Sequence, residues 1–129
     1  MHKQILIADD SEIVRDVLKM YLETQDNLQV CGEAADGLEA VEQAKKLKPD
    51  LVLLDSAFPM MNGAVAASVL KKLMPNMPII IFSMYSEEIG RSLVDAIGVD
   101  VVLSKPDGMR TLMEAIRKLT KADHPDISV

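Results

Sequence analysis

The chain has 129 residues, of which 49% are hydrophobic, and a net charge of −6. This is the size of one ordinary domain with enough apolar mass for a core, and an acidic chain without a basic run is a poor match for nucleic-acid backbones. No apolar run approaches the roughly 20 residues needed to span a bilayer, and a single cysteine, Cys31, excludes an internal disulfide and fits a reducing compartment.

In chain order, Met1 to Gln4 leads almost at once into a strand, Ile5 to Ala8, so no signal peptide is expected and the location is read as cytoplasmic. Asp9 and Asp10 follow. Ile13, Val14, Val17, Leu18, Tyr21 and Leu22 then recur at helical spacing, with Ser11 as N-cap. Leu28 to Ala34 alternates and is more polar, which predicts an edge strand; Cys31 within it reads as a small buried hydrophobe. Asp36-Gly37 reads as a turn, and Leu38, Val41, Ala44 and Leu47 mark one face of a second helix closed by Pro49. Leu51 to Leu54 is the third strand, ending at Asp55. Ala66, Val69, Leu70 and Leu73 mark a third helix ended by Pro75; Ile79 to Phe82 is the fourth strand, ending at Ser83. Ile89, Leu93, Ala96 and Ile97 mark a fourth helix with Gly98 as its C-cap. Val99 to Leu103, with Asp100 its one charge, is the fifth strand and leads to Lys105. Met109, Leu112, Met113, Ile116 and Leu119 mark the last helix. Residues 1–121 form the predicted domain, and 122–129 a polar tail or the start of a linker.

Strand and helix alternate five times and the strands are nearly continuous in apolar residues. That pattern predicts an α/β fold: a doubly wound, five-stranded parallel sheet covered on both faces, flavodoxin-like, in the order 2-1-3-4-5. Ligands in such sheets bind at the carboxyl ends of the strands, where the strand order reverses. Here those ends carry Asp9 and Asp10, Asp55, Ser83 and Lys105. Taken singly, Asp10 is most simply a helix cap, Ser83 a loop hydroxyl and Lys105 a solvated charge. Taken as a set they are informative. Carboxylates crowded in one crevice call for a cation, and oxygen-only ligands with room for water suit Mg²⁺. His2 and His124 lie at the termini, so a zinc site is not supported. A carboxylate beside Mg²⁺ can act as a nucleophile toward phosphorus, with lysine and serine holding the transferred oxygens.

With these residues in place, the sequence resembles the receiver domains of two-component response regulators over about residues 3–120. The marks are Ile7-Ala8-Asp9-Asp10, Ala35-Asp36-Gly37, Asp55 followed by Met60-Met61-Asn62-Gly63, Ser83, and Lys105-Pro106. The resemblance implies that Asp55 accepts a phosphoryl group from a histidine kinase or phosphotransfer protein. It implies that Asp10 and Asp55 bind Mg²⁺ directly, Asp9 through water, and Ala57 through its backbone carbonyl. Ser83 and Lys105 would hold phosphoryl oxygens, and the Lys105-Pro106 peptide would be cis. Ser83-Met84-Tyr85 with Glu88 looks like receivers that precede a LuxR-type helix-turn-helix domain. In the family, the face made by the fourth helix, fifth strand and fifth helix carries partner or dimer contacts, and Arg91, Arg110 and Arg117 are assigned there. The implied protein is a switch and not an enzyme on outside substrates, with no direct nucleic-acid or membrane binding by this chain and a dimer formed on phosphorylation.

The chain departs from the family pattern in four places. Phe58-Pro59 replaces the usual methionine-proline. Ala57, two past the acceptor, is often polar in the family. Tyr85, two past the serine, is large. Val102 stands where a switch aromatic is usual. Ala57 cannot orient water and Tyr85 can cover the acyl phosphate, so slow self-dephosphorylation is expected. Three other functions compete with the switch. A phosphotransfer enzyme needs an acid–base carboxylate at the position of Ala57. A phosphorylation-independent interaction module would not need Asp9, Asp10, Asp55, Ser83 and Lys105 together. A flavin binder is disfavoured by the small aromatic content, 3%, which leaves little to stack on the ring.

Overall fold

The computed structural model describes residues 2–54, 63–83, 98–104 and 108–121, with main chain only for Gly63, Ala64, Ser83, Val102 and Ser104. Within them run β1 (Lys3–Ala8), α1 (Glu12–Glu23), β2 (Leu28–Ala34), α2 (Gly37–Leu47), β3 (Leu51–Leu54), α3 (Gly63–Leu73), β4 (Ile79–Ser83), β5 (Val101–Ser104) and α4 (Met109–Thr120). The sheet order is β2-β1-β3-β4-β5, all parallel, as the alternation predicts. The helix expected over Ile89 to Ile97 lies outside the described residues. Gly98 after it has φ 83°, the left-handed conformation that suits a glycine C-cap.

Strand alternation divides the core in two. Leu6, Ala8, Val52, Leu54, Ile79 and Ile81 point to the side covered by α2 and α3. Ile5, Ile7, Leu51, Leu53, Ile80 and Phe82 point to the side covered by α1 and α4, where Leu18, Leu22, Leu112 and Ile116 meet them. Each such fully buried Leu or Ile contributes about 1.5–3 kcal/mol. β2 is at the edge and carries one extra residue: Ile5 pairs with Val30, but Leu6 pairs with Gly32. Gly32 lets α2 approach closely, since a Cβ there would stand 2.6 Å from Leu47 Cδ1. Cys31, the extra residue, is half-buried and not fully enclosed, because an edge strand has solvent on one side.

Other expectations shift for local reasons. Asp36-Gly37 is not a free turn. Asp36 caps α2, its Oδ1 accepting from the Glu39 N–H at 2.8 Å, and Gly37 is the first helical residue. Of the residues that mark the faces of α2 and α3, Leu38, Leu47 and Leu73 are exposed, while Val41, Ala44, Ala66 and Leu70, with Ala40, carry the packing. β5 begins at Val101 and not at Val99. The reason is Asp100, whose Oδ2 accepts from the Ile79 N–H and from Lys71 Nζ, each at 2.8 Å, and so bolts the strand entry to β4 and α3.

Candidate functional site

The β1–β2 ladder runs one step past the strand, with the Asp9 N–H donating to the Ala34 carbonyl at 3.0 Å. This draws the Asp9 side chain inward, to 3% exposure. Its Oδ1 accepts from the Ser11 N–H at 2.9 Å, and Ser11 Oγ in turn accepts from the Val14 N–H at 3.2 Å as the N-cap of α1. The predicted cap is therefore Ser11. Asp10, which taken alone would most simply be a cap, is exposed beside it. The chain thus presents one buried and one exposed carboxylate in succession at the carboxyl end of β1.

Arg15 fixes this corner. Its Nη1 donates to the Asp9 carbonyl oxygen at 2.7 Å, and its Nε pairs with Glu33 Oε1 on β2 at 3.0 Å. Both bonds involve a charged group, which makes them the stronger kind. Sequence reasoning assigned no role to Arg15 or Glu33. The available signal was a charge on the same side of α1 as Leu18 and Leu22, where a solvated arginine does not belong.

Register aligns the remaining strand ends. Ala8 pairs with Leu54, Leu54 with Ile81, Phe82 with Leu103, and Ser83 with Ser104. Asp9 and Asp55 are the residues next in sequence after the paired Ala8 and Leu54. Asp55, Ala57, Tyr85, Lys105 and Pro106 lie outside the described residues, as do the side chains of Ser83 and Val102. The described part of the rim offers oxygen donors from Asp9 and Asp10. His2 stands before β1, at the opposite end of the sheet. A hard cation such as Mg²⁺ fits that donor chemistry; among the described residues alone, no three metal-ligating side chains cluster.

One expected placement is corrected. Arg117 does not turn toward β5. Its Nη2 donates to Gln25 Oε1 at 3.3 Å and to the Asp26 carbonyl at 3.4 Å, at the end of α1. Arg110, seven residues earlier, lies along the same edge of α4. Helical phase puts both on the α1 side. Arg91 lies outside the described residues.

The chain matches the family model of the response regulator receiver domain over residues 5–117. It is 36% identical to the response regulator protein VraR of Staphylococcus aureus over 122 residues, covering 93% of this chain and 57% of VraR. The chain thus spans little more than half the length of this relative. Among solved structures it is similar to the response regulator domain of Thermotoga maritima CheB, with a TM-score of 0.86, 33% identity, and coverage of 95% and 99% of the two chains. It is also similar to a chain of the CheX–CheY–BeF3–Mg²⁺ complex from Borrelia burgdorferi, with a TM-score of 0.82, 25% identity, and coverage of 91% and 88%.

Proposed function

The chain belongs to the response regulator receiver family of two-component signalling, and from that premise we propose that it accepts a phosphoryl group on Asp55 and changes its affinity for a partner when it does. The observation that carries this reading is the rim at the end of β1. A buried Asp9 and an exposed Asp10 follow Ala8, and the strand paired with Ala8 leads in sequence to Asp55. The Asp55 carboxylate attacks the phosphorus of a phosphohistidine. A P–O bond forms, the P–N bond breaks, and the leaving imidazole nitrogen takes a proton. Asp10, Asp55 and the Ala57 carbonyl would hold Mg²⁺, and Asp9 would act through water. When bound, the ion neutralises charge on the transferring group. The Borrelia CheX–CheY–BeF3–Mg²⁺ complex, a chain of which is similar to this one, supports Mg²⁺ as the ion. Ser83 and Lys105 take the phosphoryl oxygens and move inward with them, biasing the loops after β3 and β4 between two states.

Residues 1–121 are the receiver unit in this reading, and 122–129 are a tail or the start of a linker. The partner is a histidine kinase or phosphotransfer protein upstream and, downstream, either another protein or an output domain outside this chain, and the setting is cytoplasmic. Ala57 and Tyr85 give the acyl phosphate a long life, and Val102 removes the usual aromatic switch. The test is intact mass of wild type and Asp55→Asn after incubation with Mg²⁺ and acetyl phosphate. One added phosphoryl mass in wild type only, absent with EDTA, is the expected result. No addition, repeated with a histidine kinase domain as donor, leaves the phosphorylation-independent module as the better reading.

A further inference from the structure

The seam between α2 and α3 is apolar along its length and basic at one end. Two contacts fix how the helices are turned. Leu47 of α2 lies over Gly32 of β2, and Lys71 of α3 reaches Asp100 at the entry to β5. Helical phase therefore puts Leu38, Val41 and Lys45 on the other edge of α2, and Val65, Val69 and Leu73 on the other edge of α3. Those two edges face each other, because the helices pack side by side. Val41 is buried at the base of the seam and Val69 is half-buried, yet Leu38, Val65 and Leu73 are 49%, 47% and 50% exposed.

Both helices connect parallel strands, so they run in the same direction and end together. At that shared end stand Lys45, Lys46 and Lys48 from α2 and Lys72 from α3, all exposed and none paired with an acid among the described residues. Lys71 is committed to Asp100 and the Met77 carbonyl, and the nearby Asp50 accepts from the Gln4 N–H. The only acids on the two helices are Glu39 and Glu42, exposed toward the start of α2, and Glu39 Oε1 already accepts from the Ala35 N–H at 2.9 Å. Lysines suit the negative ends of two helix dipoles, but a dipole does not call for leucine and valine left exposed between them.

These charges decide between occupants. A second copy turned end over end would set four lysines against two acids, one of them engaged, and leave like charge facing like. A membrane surface would turn Glu39 and Glu42 toward the same anionic headgroups as the lysines. An acidic amphipathic helix lying antiparallel to α2 and α3 meets neither difficulty. It brings its positive N-terminus beside two negative C-termini, and the acids that suit its own first turn against the lysines.

We propose that the α2–α3 seam docks an amphipathic helix of a partner protein, its apolar stripe on Leu38, Val65 and Leu73 and its N-terminal acids on Lys45, Lys46, Lys48 and Lys72. From Val65 to Leu73 the seam runs about 12 Å, a little over two helical turns. Such a contact is smaller than a standard interface, so the complex is weak and exchanges readily.

The test uses a labelled synthetic helix of about 14 residues, with leucines at helical spacing and glutamates in its first turns, beside the same peptide with lysines in place of the glutamates. Titrated with the wild-type chain at physiological salt, the acidic peptide is expected to bind several-fold tighter by fluorescence anisotropy, with NMR shifts of the chain gathered on α2 and α3. Leu73→Gln is expected to lose this binding with unchanged circular dichroism, since half of Leu73 faces solvent. Lys45→Glu combined with Lys72→Glu is expected to reverse the preference toward the basic peptide. A wild type that binds neither peptide, or both alike, overturns the proposal, as do shifts gathered elsewhere or binding that survives Leu73→Gln. Sedimentation equilibrium of the chain alone and flotation with anionic vesicles cover the other occupants. A dimer or a vesicle-bound chain that is lost in Leu73→Gln gives the seam to a second copy or to a membrane, and overturns the proposal equally.

Discussion

Arg15 holds the main chain of Asp9, not its carboxylate: Nη1 meets the carbonyl oxygen at 2.7 Å while Nε is engaged by Glu33. The Asp9 side chain, whose Oδ1 accepts from the Ser11 N–H, therefore hangs from a peptide that a guanidinium clamps. Arg15→Met removes both bonds and leaves a part-buried carbonyl and carboxylate short of a donor. We expect a loss of about 1.5–3 kcal/mol in urea unfolding, and weaker Mg²⁺ binding, because the carboxylates lose their fixed support. Arg15→Lys, which cannot span two partners in a fork, should recover only part of the stability.

A second expectation concerns the metal. Mg²⁺ that binds only the folded chain stabilises it, by about 1.4 kcal/mol at ten times its dissociation constant. Thermal melts at rising Mg²⁺ should therefore shift upward in wild type. Asp10→Ala should abolish the shift, while Ca²⁺, which prefers more ligands, should act at higher concentration. A melt that is flat in Mg²⁺ for wild type argues against the cation site altogether.

The parallel sheet was legible because four of its five strands are apolar runs that each stop at a polar residue, and the remaining strand, Leu28–Ala34, has the alternation of an edge strand. Strand order followed from topology rules and agrees with the structure. The helices were less legible. Periodicity identifies a helix but not which apolar residues it buries: Leu18 and Leu22 are buried, while Ile13 and Val17 on the same helix face solvent. Polar contacts between distant segments, such as Arg15 with Glu33 or Arg117 with Gln25, leave no mark in spacing. They were missed or misplaced for that reason.

Asp100 offers a third test. One carboxylate oxygen accepts from both Lys71 Nζ and the Ile79 N–H, joining α3, β4 and the entry to β5. Asp100→Ala leaves the Ile79 N–H without its acceptor and takes the counter-charge from the part-buried Lys71 ammonium, which keeps its bond to the Met77 carbonyl at 2.9 Å, so it should cost about 1.5–3 kcal/mol. Lys71→Met should cost less, because Asp100 keeps its bond to the Ile79 N–H. Chemical denaturation of the two single variants and the double variant measures the coupling directly; additive effects would mean that the pair does not act together.

The last expectation is a pH dependence with a definite sign. Burial pushes the Cys31 thiol above its ordinary range, the backbone hydrogen bond partly opposes this, and the charge of Asp50 adds to it. In the unfolded chain the thiol ionises near its usual value of about 8.5. Above that pH the unfolded state has lost a proton that the folded state still holds, and stability falls as pH rises toward the folded value. Below it the two states hold the same proton and the contribution is flat. Wild type should therefore lose stability between neutral pH and moderately alkaline pH faster than Cys31→Ser, compared by urea unfolding at each pH. The same burial predicts slow alkylation of Cys31 at pH 8 in the folded chain and rapid alkylation in urea. Parallel pH profiles for wild type and Cys31→Ser would show that the thiol is ionised equally easily in both states, and that its half-buried place on the edge strand does not protect it.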